Sequence, residues 1–211
     1  MPPLKAPIEK QRKQPVQTRS TATVDAILEA CIQVLLRVGK EKLTTTLVAH
    51  RAGVSVGTLY QYFPNKRSLL RAVLREHLTR VTAAFEAACT AHHGLPLCDI
   101  VTGAANGFFR AKMIEPRVAL ALYSVSSDVD GLGITEDLRL RNESAFKQAL
   151  LSAPEKLRVD TSLAAFTMQS TMIGISRRIL ESKIPAREHE ALREQMVVML
   201  CAYAESVTIR G

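Results

Sequence analysis

The sequence predicts an all-α fold, and three observations carry that expectation. No segment sustains a two-residue alternation of apolar and polar side chains, so no sheet is expected. Apolar residues recur instead at helical spacing. Val24, Ile27, Leu28, Cys31, Leu35 and Val38 stand 3, 4, 7, 11 and 14 residues from the first of them, on one helix face. Finally, Gly94, Pro96, Pro116, Gly131, Gly133, Pro154 and Pro185 cut the later chain into pieces of helix length. The expected plan is a small three-helix N-terminal unit followed by a larger helical one.

Taken in order, residues 1–19 read as a flexible basic arm, with prolines at 2, 3, 7 and 15 among Lys10, Arg12 and Lys13. A first helix is expected from Ser20 to Val38, with Gly39 at the C′ position that stops it. Thr44 can cap a second, Thr45 to Ala52, whose Leu47, Val48 and Ala49 give it something to bury. At Ala52-Gly53-Val54-Ser55 the glycine tolerates a left-handed bend, and the serine can accept from free amides of a third helix. Leu59 and Phe63, four apart, lock that short helix inward before Pro64 closes it. Two short helices joined through a glycine turn are a helix-turn-helix signature, placed here in residues 20–65. Residues 66–211 should hold helices near 66–92, 97–113, 116–126, 134–152, 160–182 and 186–208, with Gly131-Leu132-Gly133 as a bend.

Composition narrows the function classes. Hydrophobic residues make up 47% and charged residues 23%, a globular balance. No apolar run approaches the roughly 18 residues of a membrane span. The first residues lack a signal-peptide apolar region, so a cytoplasmic location is expected. Cys31, Cys89, Cys98 and Cys201 are scattered, which predicts small buried thiols with neither a zinc site nor a disulfide framework. The formal net charge of +8 is uneven. Residues 1–80 hold 14 Lys and Arg against 5 Asp and Glu, whereas residues 81–211 hold 14 against 15. A cationic end of this kind fits a polyanion, whose condensed counterions Lys and Arg displace. No catalytic constellation stands out: His92 and His93 are adjacent and so point apart on a helix, and His77 and His189 have no evident partner. No enzyme, metal or cofactor is expected.

The run TTTLVAHRAGVSVGTLYQYFPNKRSLL resembles the DNA-binding domain of the TetR family of bacterial transcriptional regulators. The resemblance rests on Ala52-Gly53-Val54-Ser55, Gly57, Leu59-Tyr60, Tyr62-Phe63 and Lys66, and it covers roughly residues 20–75. It implies that the third helix enters a DNA major groove, where base edges distinguish all four pairs. Gly57 would allow close approach, Val56 and Thr58 would offer methyls to thymine, and Gln61 could pair with an adenine edge. Tyr60 and Tyr62 end in hydroxyls suited to phosphate. Ser55, Lys66 beside the Asn65 cap, and Thr44, Thr45 and Thr46 at the second helix complete the expected DNA contacts.

For the larger unit, Leu192, Met196, Met199, Leu200, Tyr203 and Val207 form an apolar stripe widened by Val197, Val198 and Cys201. Family members pair their last two long helices across a two-fold axis, which would place Gly174, Met196, Leu200 and Tyr203 in a homodimer seam and imply a pseudo-palindromic operator on double-stranded DNA. A small, largely apolar effector is expected among Phe108, Phe109, Met113, Tyr123, Phe146, Phe166, Met168 and Met172, with Asn106 and Gln169 as polar anchors. These residues come from separate helices that could converge. The expected function is a ligand-released repressor. The alternative is an all-helical small-molecule carrier or enzyme whose basic surface is incidental.

Overall fold

The computed structural model describes residues 15–126, 129, 131–182 and 184–209. Residues 1–14 of the expected arm, with Lys10, Arg12 and Lys13, lie outside them. The described residues form nine α-helices: α1 Pro15–Lys42, α2 Thr45–Ala52, α3 Val56–Tyr62, α4 Lys66–Ala91, α5 Leu97–Met113, α6 Pro116–Ser126, α7 Gly131–Leu151, α8 Thr161–Glu181 and α9 His189–Ser206. One isolated antiparallel bridge, Leu157 with Thr208, fastens the chain after α7 to the end of α9. The fold is all-α.

Local chemistry sets the boundaries. α1 begins at Pro15, ahead of the expected Ser20, because proline suits the first helical position, where its missing N–H costs nothing. Gly39 breaks that helix as expected, with φ 75° and ψ 169°, although one further turn follows before α2. Gly53 ends α2 in the left-handed region at φ 70°, and the Val54 N–H closes the turn on the Ala49 carbonyl at 3.0 Å. Thr44 accepts from the Leu47 amide, Ser55 from Thr58, and Asn65 shares a reciprocal capping box with Ser68. The expected bend at Gly131-Leu132-Gly133 is instead the first turn of α7. Propensity costs glycine only about 1 kcal/mol in a helix, which tertiary packing overrides.

Two apolar clusters share α4. Its first half, with Leu69, Leu70, Val73 and Leu74, closes on Ile27, Val34, Val48 and Leu59 from α1–α3 and on Val118, Leu122 and Val125 of α6. Its second half, with Val81, Phe85 and Cys89, packs against α5, α7, α8 and α9. There Phe85 stacks edge-on against Phe108 and Phe146 at 6.1 and 5.6 Å. Close approach of α5 to α4 depends on Gly107: a Cβ there would sit 2.5 Å from that of Ala88. The cysteine expectation is corrected for one pair. Cys98 of α5 and Cys201 of α9 form a disulfide across 103 residues of sequence. Cys31 and Cys89 are buried free thiols, as expected. The first pair was missed because a separation of that length says nothing about proximity until both helices are packed.

Candidate nucleic-acid interface and ligand cavity

The helix-turn-helix presents its outer face to solvent. Leu59 and Phe63 are buried in the first cluster, which turns Val56, Gly57, Tyr60 and Gln61 outward. A Cβ added at Gly57 would meet only the Ser55 hydroxyl, at 3.7 Å, so no internal packing demands the glycine and the outside is open for close approach. Thr46 is exposed beside this face. Ser55 and Thr58 bond to each other through their hydroxyls at 2.8 Å, besides the cap bond from the Thr58 amide. Their role here is to stiffen the start of α3.

Three expected contacts have different local roles. Thr45 is buried, and its hydroxyl meets the Tyr60 hydroxyl at 3.0 Å, so it holds the Tyr60 ring rather than reaching outward itself. Tyr62 is half-buried against the first cluster. Lys66 donates to the Lys40 carbonyl at 2.6 Å, tying the start of α4 to the last turn of α1. An ammonium has three protons, so this bond leaves two for water or a phosphate. Lys42, Arg51 and Arg67 are exposed around the unit.

A cavity of about 280 Å³ opens in the larger half between α4, α5, α6, α7 and α8. Of the expected ligand residues, Phe108, Tyr123, Gln169 and Met172 line it. Phe109, Phe146 and Met168 are buried in the adjoining core, and Met113 packs against it. Asn106 accepts from Arg193 of α9, away from the cavity. Phe166 is 55% exposed on α8 and is not among the residues lining this cavity. The sequence reading missed Lys112, which is only 5% exposed and projects among the aromatic rings. It bonds the Tyr123 hydroxyl, and its ammonium lies 4.6 Å from the centre of that ring and 5.5 Å from the centre of Phe108. A lysine one helical turn from Phe108 and Phe109 was readable as a pocket residue, but charge argued for the surface. His77 of α4 is buried nearby. Burial first, then the charges of Lys112 and Arg80, push its imidazole down to about 4.

Two of the expected seam residues belong to the monomer. Met196 and Leu200 are buried in the second cluster, and Tyr203 packs partly against it. The apolar surface on the last two helices is made by other side chains: Leu163, Phe166 and Ile173 on α8, and Val198 and Met199 on α9. Gly174 is exposed, with open space where a side chain would be.

Residues 27–73 match a family described as bacterial regulatory proteins, tetR family. Residues 96–203, just over half the chain, match a tetracyclin repressor-like C-terminal domain. The HTH-type transcriptional repressor KstR of Mycolicibacterium smegmatis is 31% identical over 128 residues, which is 59% of this chain and 61% of the relative. The chain thus spans less than two thirds of the length of the curated relatives it matches. A solved structure from Mesorhizobium loti, assigned to the TetR-family transcriptional regulators, superposes with a TM-score of 0.75 at 17% identity over 90% of this chain and 99% of that one. The TetR family transcriptional regulator PfmR from Thermus thermophilus gives 0.62 at 20% identity over 83% and 97%. At these identities the structural likeness speaks for the fold alone.

Proposed function

The chain belongs to the TetR family of bacterial regulatory proteins, and on that premise we propose that it is a sequence-specific DNA-binding transcriptional regulator, a repressor released from its operator by a small effector. The observation that carries this reading is the outer face of α3. Gln61, Val56 and Tyr60 are exposed on a short helix, capped at its start by Ser55, that a cationic N-terminal part carries. Such a helix buries little of its own, and its polar and methyl-bearing groups match major-groove edges. The DNA partner places the protein in the cytoplasm. No helix among the described residues is long and apolar enough to cross a membrane.

The exposed apolar strip on α8 and α9 supports a homodimer, in which a second copy would cover it. Two α3 helices related by a two-fold axis then call for a pseudo-palindromic operator with half-sites on one duplex face. The effector enters through α4. Its first half anchors the helix-turn-helix core, and its second half, through Leu78, Val81 and Thr82, walls the cavity. A ligand that tilts α4 changes the spacing of the two α3 helices. It must bind the DNA-free state more tightly by about 1.4 kcal/mol for each tenfold loss of operator affinity.

The test is selection of genomic fragments followed by titration at several salt concentrations. We expect preference for an inverted repeat and an affinity that falls steeply with salt, with a slope of roughly −0.9 per phosphate neutralised. Gln61→Ala should cost about 1–3 kcal/mol and relax preference at one base pair of each half-site. Binding without sequence preference, or none, would refute the reading.

A further inference from the structure

The cavity holds a positive charge that no acidic side chain answers. Lys112 is buried, its interactions are with the Tyr123 hydroxyl and the two aromatic faces, and among the described residues no carboxylate pairs with it. Burying an ammonium without a counter-charge is costly, so this is a position where packing alone would favour leucine or methionine. The neighbouring groups do not relieve it. His77 brings no negative charge, and its burial, with Lys112 and Arg80 close by, favours the neutral imidazole. Arg139, on the cavity wall, is itself a cation, and Glu136 and Glu143 of its own helix already occupy its guanidinium.

A second observation points the same way. Asn142 lines the cavity and gives its amide to Thr82 at 3.3 Å, while its carbonyl oxygen Oδ1 is buried with no hydrogen-bond partner. Buried acceptors are ordinarily satisfied. One wall of a mostly apolar cavity therefore offers an unanswered cation, and another an unanswered acceptor. Leu78, Val81, Leu138, Met172 and Ile173 supply the apolar surface, while the Gln169 amide on the same wall already donates to the Asn142 backbone carbonyl at 2.8 Å.

Resting on the reading of this cavity as the effector site, we propose that the effector is an amphipathic organic acid, with its carboxylate on Lys112 Nζ and Tyr123 Oη and its apolar body against Leu138 and Met172. The carboxylate oxygens accept from both donors, and a hydroxyl on the body would donate to Asn142 Oδ1. A cavity of about 280 Å³ suits a medium-length chain, not a large polycyclic molecule. Hydrogen bonds to a charged group are roughly twice as strong as neutral ones, so the site should separate an acid from its alcohol.

The experiment is calorimetric titration of the full chain with octanoate and with octanol at neutral pH. Octanoate should bind about tenfold or more tightly than octanol. Lys112→Met should abolish that preference, and Lys112→Arg should retain it. Should Lys112→Met fail to fold, Tyr123→Phe provides the second reading, with a reduced preference expected. Equal affinities in the wild type, no binding of either probe, or a preference unchanged in Lys112→Met or in Tyr123→Phe would each overturn the proposal. Operator affinity at saturating octanoate is measured separately. If octanoate binds through Lys112 but leaves operator affinity unchanged, the acid site stands and the effector reading falls.

Discussion

His77 makes the fold sensitive to acid. In the folded chain its imidazole is driven down to about 4, chiefly by burial and then by Lys112 and Arg80. In the unfolded chain a histidine titrates near about 6.5. Between those values the unfolded state takes up a proton that the folded state refuses, so stability falls as pH drops. The contribution is whole above about 6.5 and lost below about 4, and it amounts to about 3 kcal/mol at most. In a series of thermal melts across that window, His77→Leu should flatten the acid limb relative to wild type. Parallel limbs would assign the acid sensitivity to another group.

At the scale of the element, α8 and α9 each have two faces with different destinations. The inner face of α9, with Met196, Leu200 and Ala204, belongs to the core, and the outer one carries Val198, 61% exposed, beside Met199. A glutamate on either face therefore has a different outcome. Phe166→Glu with Val198→Glu changes only exposed positions of the single chain, so helicity should persist while the proposed dimer should weaken by about tenfold or more, if these side chains anchor it. Leu200→Glu puts an unpaired charge into the core and should cost about 3–5 kcal/mol, unfolding the chain before it alters association. Sedimentation velocity and circular dichroism on both variants separate the cases. An unchanged dimer in the double variant would move the seam elsewhere.

For the whole molecule, Cys98–Cys201 joins the start of α5 to the C-terminal half of α9, closing most of the larger half into one loop. Cross-linking a separation of that length removes chain entropy from the unfolded state, about 4–5 kcal/mol in the simplest treatment and less where the unfolded chain keeps structure. Reductant should lower the melting temperature of the wild type and have no further effect on Cys201→Ser. The other two thiols are poor reporters, because burial pushes Cys31 and Cys89 up to about 12 and leaves little thiolate to react. Thiol titration of the folded, unreduced chain should accordingly find almost none. Two fast-reacting thiols with melting unaltered by reductant would show the bridge to be open.

What the sequence determined by itself is whatever depends on residues within about a turn or two of each other. The apolar period in α1, the Gly53 bend, the caps at Thr44, Ser55 and Asn65, and the inward Leu59 and Phe63 are all local. The family resemblance lay in that same stretch, which is why the all-α plan and the helix-turn-helix were legible. The ligand residues were half legible: aromatic and methionine content selected Phe108, Tyr123 and Met172, but equally selected Phe146, which is core, and Phe166, which is surface. Tertiary structure alone decided between those three fates, because a helix face is apolar whether it meets its own core, a cavity or another chain. It alone brought Cys98 to Cys201, and Thr45 to Tyr60. It also alone placed Lys112 inside, where four methylenes of stem reach a cavity wall that exists only once separate helices have packed around it.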